Sequence, residues 1–277
     1  MKKKLFLLLI VPILILNCAE SMAQTYEDYV TESFDWLETD SLPQAEASLR
    51  NALRLEPGNP NNGMLLLNLG TIQRRQGKLQ EAEESYSIGL GFMPRNATLL
   101  NSRAQLYGEM GKYAEAIEDY TEVIYQQAEN EDALYQRALC RLMNADTLGA
   151  RLDLQAIDKL NPNSAKSRLG MVYIYKAQHM WREASELLDP LIERNPQSAS
   201  LLRERAEVYY LAGRMGAALD DIGHSIQKDP RDPYSYILRA QIRYAKGDRE
   251  FARRDLNQAL DLGLKIEEAG DLVQKLK

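Results

Sequence analysis

Ala82, Ala116, Ala150, Ala184, Ala218 and Ala252 stand 34 residues apart without a miss. At a background near one in ten, that column arises by chance about once in a million. A fixed step of this length restricts the chain to stacked copies of one small unit. Other columns keep the same step. Gly70, Ala104, Ala138, Val172, Ala206 and Ala240 are mostly small; Gly77, Gly111, Ala145, His179, Gly213 and Gly247 mark a turn. Pro94, Pro162, Pro196 and Pro230 mark a second break, with Ala128 and Leu264 as exceptions. An earlier copy carries Ala45, Leu49, Ala52 and Pro57, offset by 37 residues because Pro60-Asn61-Asn62 is inserted.

Within a unit the apolar spacing is helical on both sides of the turn. Leu100, Ala104 and Tyr107 keep one face, Gly111 interrupts, and Ala116, Tyr120, Val123 and Ile124 keep another. One hairpin of helices cannot bury both of its faces, so each unit needs a neighbour. Small residues let its two helices cross closely, a turn glycine accepts the left-handed backbone that ends the first, and proline stops the second.

Charge supplies an independent register. Arg103, Arg137, Arg205 and Arg239 occupy one first-helix column, and Asp119, Asp153, Asp221 and Asp255 follow 16 residues later. The two units without the Arg, at Leu69 and Met171, also lack the Asp, at Ser85 and Leu187. The midpoints of the four pairs are Gly111, Ala145, Gly213 and Gly247, which are the turn positions found from another column. Four Arg–Asp bridges within hairpins are therefore predicted, acting on register more than on net stability.

This helix–turn–helix pattern resembles the tetratricopeptide repeat. The resemblance covers about seven units, near residues 26–59, 63–96, 97–130, 131–164, 165–198, 199–232 and 233–266. It implies an all-α solenoid of helical hairpins, a right-handed α-α superhelix spanning residues 24–266. Ala128, Leu264, Ala145 and His179 depart from the family's Pro and Gly positions and loosen the expectation only for those joints. Ile266 and residues 267–277, with apolar Leu272, Val273 and Leu276, are expected to form a short capping helix.

Residues 1–23 read as an export signal. Lys2, Lys3 and Lys4 precede the apolar run Leu5–Leu16, and Ser21-Met22-Ala23 places small residues at a peptidase site. The run is shorter than the roughly 20 residues of a membrane span. Cleavage after Ala23 implies a periplasmic or secreted protein. The alternative is an outer-membrane lipoprotein acylated at Cys18, disfavoured by Asn17 before it and the sole reason to expect a membrane partner. Losing residues 1–23 removes three Lys and one Glu and shifts the formal charge from −6 to about −8. Only Cys140 then remains, so no internal disulfide staples the fold.

Catalytic signals are missing. No phosphate-binding glycine loop, nucleophile elbow or HExxH spacing occurs in the mature chain. His179 and His224 share no third ligand, and Cys140 lies between Ala138 and Leu142 as a core thiol would. No enzyme, no cofactor and no metal are expected, and an acidic chain without a basic stripe disfavours nucleic acid. Asp40-Ser41-Leu42 and Asp146-Thr147-Leu148 resemble a bacterial O-glycosylation acceptor, but Ser41 and Asp146 or Thr147 are better read as caps of the second helices.

In the resembled family the first helices line a concave groove that holds a protein or peptide. Carried onto this chain, the groove set is Arg74, Asn101, Gln105, Tyr135, Tyr173, Lys176, Arg203, Glu207, Tyr210, Tyr234 and Tyr244. Tyrosine suits an extended polypeptide, with broad apolar area, one hydroxyl and little rotamer freedom to lose. A subgroup that grips C-terminal carboxylates uses Lys and Asn; Leu67, Thr71, Asn101 and Gln105 stand here instead, so a chaperone-tail receptor is disfavoured. The resemblance thus implies an exported scaffold or adaptor, with a structural subunit of an envelope assembly as the alternative.

Overall fold

The computed structural model describes residues 24–276. The expected export segment, residues 1–23, with Cys18 and the cleavage site, lies outside the described residues. The rest is helical and arranged as seven hairpins: α1 (Tyr26–Glu38) with α2 (Leu42–Leu55), α3 (Asn62–Arg75) with α4 (Leu79–Phe92), and α5 (Ala97–Glu109) with α6 (Tyr113–Gln126). Then come α7 (Glu131–Met143) with α8 (Thr147–Leu160) and α9 (Ala165–Ala177) with α10 (Trp181–Arg194). The last two are α11 (Ala199–Leu211) with α12 (Met215–Lys228) and α13 (Pro233–Ala245) with α14 (Arg249–Asp261). No strand occurs among the described residues. The all-α repeat solenoid read from the columns is the fold.

The columns act as their spacing implies. The column alanines Ala45, Ala82, Ala116, Ala150, Ala184, Ala218 and Ala252 are wholly buried. Sixteen residues after each small first-helix position comes a large buried one: Tyr86, Tyr120, Leu154, Leu188, Ile222 and Leu256. From Ala104 with Tyr120 to Ala240 with Leu256, both members of a pair share one apolar cluster. At Gly70 the approach is close enough to exclude a side chain, since a Cβ there would lie 2.6 Å from the Tyr86 ring. The core is thus a succession of clusters, most shared by adjacent hairpins, with none central to the molecule.

All four expected bridges form, and each is a two-pronged fork. Arg103 donates through Nε and Nη2 to Asp119 at 2.8 and 2.8 Å; Arg137 does so to Asp153 at 3.0 and 2.6 Å. Arg205 meets Asp221 at 2.7 and 2.9 Å, and Arg239 meets Asp255 at 2.9 and 2.6 Å. The sequence did not reveal the third contact. Nη1 of Arg103, Arg137 and Arg205 reaches back to Ser87, Thr121 and Asp189 at 3.1, 3.0 and 2.9 Å. Each of these lies 16 residues earlier, on the second helix of the preceding hairpin. For Arg239 that position is Gly223, which has no side chain to offer. In the first hairpin Ser48 and Glu32 take the same two columns, with the Ser48 hydroxyl donating to the carboxylate at 3.0 Å.

Every hairpin turn holds one left-handed residue, including Asp40 (φ 55°), Ala145 (φ 61°) and His179 (φ 58°) in place of glycine. A Cβ in that region costs roughly 1–2 kcal/mol, part of which glycine returns through a freer unfolded chain. Ala145→Gly and His179→Gly should each raise stability by about 0.5–1 kcal/mol. Urea unfolding of the single variants checks this; a loss in both would mean that the turns are not strained.

Asp146 caps α8, accepting from the Gly149 amide at 2.8 Å. Ser41 stands at the cap position of α2, but its side chain accepts from the Thr39 hydroxyl at 3.2 Å and caps nothing. Pro190 sits inside α10, whose helix continues through it. The terminal cover is two single turns, α15 (Ile266–Ala269) and α16 (Leu272–Lys275), where one helix was expected. Gly270, at φ 58°, separates them and lets Ala269, Leu272 and Leu276 all join the cluster of Leu256, Ala259 and Leu264.

Candidate functional site: the first-helix wall

The first helices adjoin across units, α3 touching α5, α7 touching α9, and α11 touching α13. Every residue of the expected groove set lies on one of these helices, and polar contacts gather most of them into three groups. Arg74 on α3 donates to Gln105 (3.1 Å) and Glu109 (3.0 Å) on α5. This pair of helices, with Gln136 and Cys140, borders a depression of about 480 Å³. Burial pushes the Cys140 thiol up to about 11, which suits a packed sulfhydryl and not a thiolate nucleophile. Asn101 is half-buried on α5, one turn before Gln105.

The second group spans units four to six. Lys176 on α9 donates to Glu204 (3.2 Å) and Glu207 (2.8 Å) on α11, and its ammonium lies 5.4 Å from the centre of the Tyr173 ring. Burial, and secondarily the Glu204 charge, push the Tyr135 hydroxyl up to about 12 and Tyr173 upward as well. Both phenols therefore stay neutral donors at ordinary pH.

In the third group Arg203 pairs with Asp232, and its guanidinium lies 5.7 Å from the centre of the Tyr234 ring. Burial opposes the charge on Asp232, yet the Ser235 hydroxyl and Arg203 hold its carboxyl below the usual range. Arg203, Glu207, Tyr210 and Tyr234, with Ile237 and Gln241, line a depression of about 290 Å³. Tyr234 is half exposed. Tyr244 stands apart, packed on the cluster under the terminal cover with the Arg249 and Lys275 cations near its ring.

Glu109, Glu204, Asp232 and Gln136 belong to this wall and were not singled out from the sequence. A search for opposite charges 28–35 residues apart would have found the first three, because that interval joins neighbouring first helices. Among the described residues no three or more His, Cys, Asp or Glu side chains converge as metal ligands.

Comparison with known proteins agrees with this architecture. A family model described as tetratricopeptide repeat matches residues 37–95 and 169–235, and a second of the same description matches 97–130. The crystal structure of a tetratricopeptide repeat protein from Parabacteroides merdae is 35% identical, with a TM-score of 0.84 over 90% of this chain and 97% of that one. Among curated proteins, U-box domain-containing protein 70 of Oryza sativa is 22% identical over 66% of this chain and 27% of its own length. The Hsp70-Hsp90 organizing protein of Triticum aestivum is 24% identical over 63% of this chain and 36% of its own length. The chain spans well under half the length of these curated relatives.

Proposed function

Because the chain belongs to the tetratricopeptide repeat family, we propose that it is a scaffold whose first-helix wall holds an extended segment of a partner protein and that it carries out no catalysis. The observation that carries this reading is how the wall spends its charges. Arg74, Lys176 and Arg203 are each matched by carboxylates on the next first helix. What the wall then offers a ligand is tyrosine: the faces and hydroxyls of Tyr135, Tyr173, Tyr210 and Tyr234, with the Gln105 and Gln241 amides beside them. Such a surface suits a polypeptide of low net charge, gripped by stacking and by hydrogen bonds to its backbone. It does not suit a polyanion, which needs cations without partners.

The reading includes export. The basic, apolar and small-residue segments of residues 1–23 support a periplasmic or secreted location, with acylation at Cys18 as the alternative. Intact mass of the protein recovered from its native envelope fraction separates them, since one form starts at Gln24 and the other carries lipid on Cys18.

The groove is tested by screening the mature chain against an array of unstructured peptides and measuring the best binder by fluorescence anisotropy. Tyr135→Ala combined with Arg203→Ala should weaken that binding at least tenfold, about 1.4 kcal/mol, with the helical circular dichroism unchanged. Unchanged affinity, or loss only on deleting residues 233–277, would move the binding surface from the wall to the end of the array.

A further inference from the structure

A separate depression of about 580 Å³ lies in the second-helix layer, between α2 and α4 and above α3. Two local departures from the repeat open it. The connector 56–61 is longer than its counterpart 93–96. The rung is also missing, since Leu69 and Ser85 occupy the Arg and Asp columns. Arg50 stands in the column of Ser87 and Thr121 and crosses to Glu81 at 2.7 Å, closing one end.

The remainder has apolar walls, a floor that also holds the buried Asn62, Gln73 and Ser85, and charged edges. Leu66 and Leu69 form a buried floor, while Ile88 and Phe92 on α4 are 47% and 40% exposed. The α2 side carries Arg50 and Arg54; the α4 side carries Glu81 and Glu84. A seam between neighbouring second helices is shaped to take the ridge of another helix. Its volume falls within the roughly 300–1,000 Å³ of binding pockets. The opposed charges give it a polarity.

We propose that this cleft docks an amphipathic helix of a partner protein. That helix has two large apolar residues one turn apart, an acidic side chain toward Arg54 and a basic one toward Glu84. The apolar pair enters between Ile88, Phe92 and the Leu66–Leu69 floor. The flanking charges select the direction in which the helix lies. The site is independent of the first-helix wall, so a scaffold of this kind engages two partners at once.

The probes are two helical peptides of about fourteen residues, stapled because an isolated helix of that length is marginal in water. Both carry leucine at i and i+4, with acid and base placed to match the cleft in one and exchanged in the other. Anisotropy titration of the 24–277 chain should give at least tenfold tighter binding of the matched peptide. Leu69→Arg with Ser85→Asp restores the rung that four other units use and should abolish that binding with the helical circular dichroism unchanged. If that pair fails to fold, Ile88→Glu, at a half-exposed site, reads the same loss. Tyr135→Ala with Arg203→Ala should leave it intact. Equal affinity for the two peptides, no binding of either, or binding that survives both cleft variants would overturn the proposal.

Discussion

Asp153→Ala should destabilise the fourth hairpin by about 3–5 kcal/mol, the cost of stranding a buried charge. Asp153 is 4% exposed at its side chain, accepts a fork from Arg137 and forms a 2.8 Å ion pair with Arg141 Nη1. Arg137 is itself only 12% exposed, so water cannot replace what it loses. The fifth hairpin shows how the same positions are filled without charge, by Met171 and Leu187. Arg137→Met with Asp153→Leu should therefore cost less than about 1.5 kcal/mol, because no ion is left alone. Arg141 keeps the Gly149 carbonyl at 3.0 Å in that variant. Stacked repeats need not unfold in one step, so calorimetry should be read beside hydrogen exchange, with residues 131–160 losing protection first. Equal costs for single and double variants would show the bridge to be an ordinary stabilising contact and not a paired burial of charge.

Tyr86→Ala should also cost about 3–5 kcal/mol, at the upper end for an aromatic removed from a core. Tyr86 is wholly buried, and opposite it stands Gly70, which has no side chain to swing into the space. Tyr86→Phe removes the hydroxyl contacts with Thr71 at 3.2 Å and with the Arg74 guanidinium and should cost about 1 kcal/mol. The complementary change tests the same fit. Gly70→Ala should cost about 1–3 kcal/mol through overlap with the ring. Tyr86→Leu on that background should recover most of it, since Ala138 already lives with Leu154. Failure of the rescue in urea melts would mean that the small and large columns are not fitted to each other.

The fold was legible because a repeat prints each structural demand several times. One alanine says little, but six at a single step specify a helix crossing. The Arg–Asp rung was legible for a subtler reason: Leu69 and Met171 lose their charge together with Ser85 and Leu187, which reveals partnership without a structure. The backward reach to Ser87, Thr121 and Asp189 was not legible. Those three share a column with Arg50, Gln155, Gly223 and Asn257, which have no chemistry in common. The terminal cover was read as one helix because apolar spacing is blind to the backbone sign that Gly270 alone adopts there.

The wall was legible only in part. Helix register placed its residues on the first helices, since that follows from spacing within a unit. Which of them meet depends on the stagger between units, and no column encodes that. Arg203 meeting Asp232, and Tyr244 lying under the terminal cover, are both consequences of this stagger. The α2–α4 cleft was visible in advance only as irregularity: an insertion of three residues and a missing rung, at adjacent places in one unit.

The backward reach of three of the four rung arginines gives the array a direction in time as well as in space. Ribosomes release the amino end first, and domains generally fold in that order. When Arg103, Arg137 or Arg205 emerges, the hydroxyl or carboxylate it seeks already stands on a finished neighbour. Each newcomer is thereby received by a completed template, and the aspartate that follows 16 residues later closes its fork.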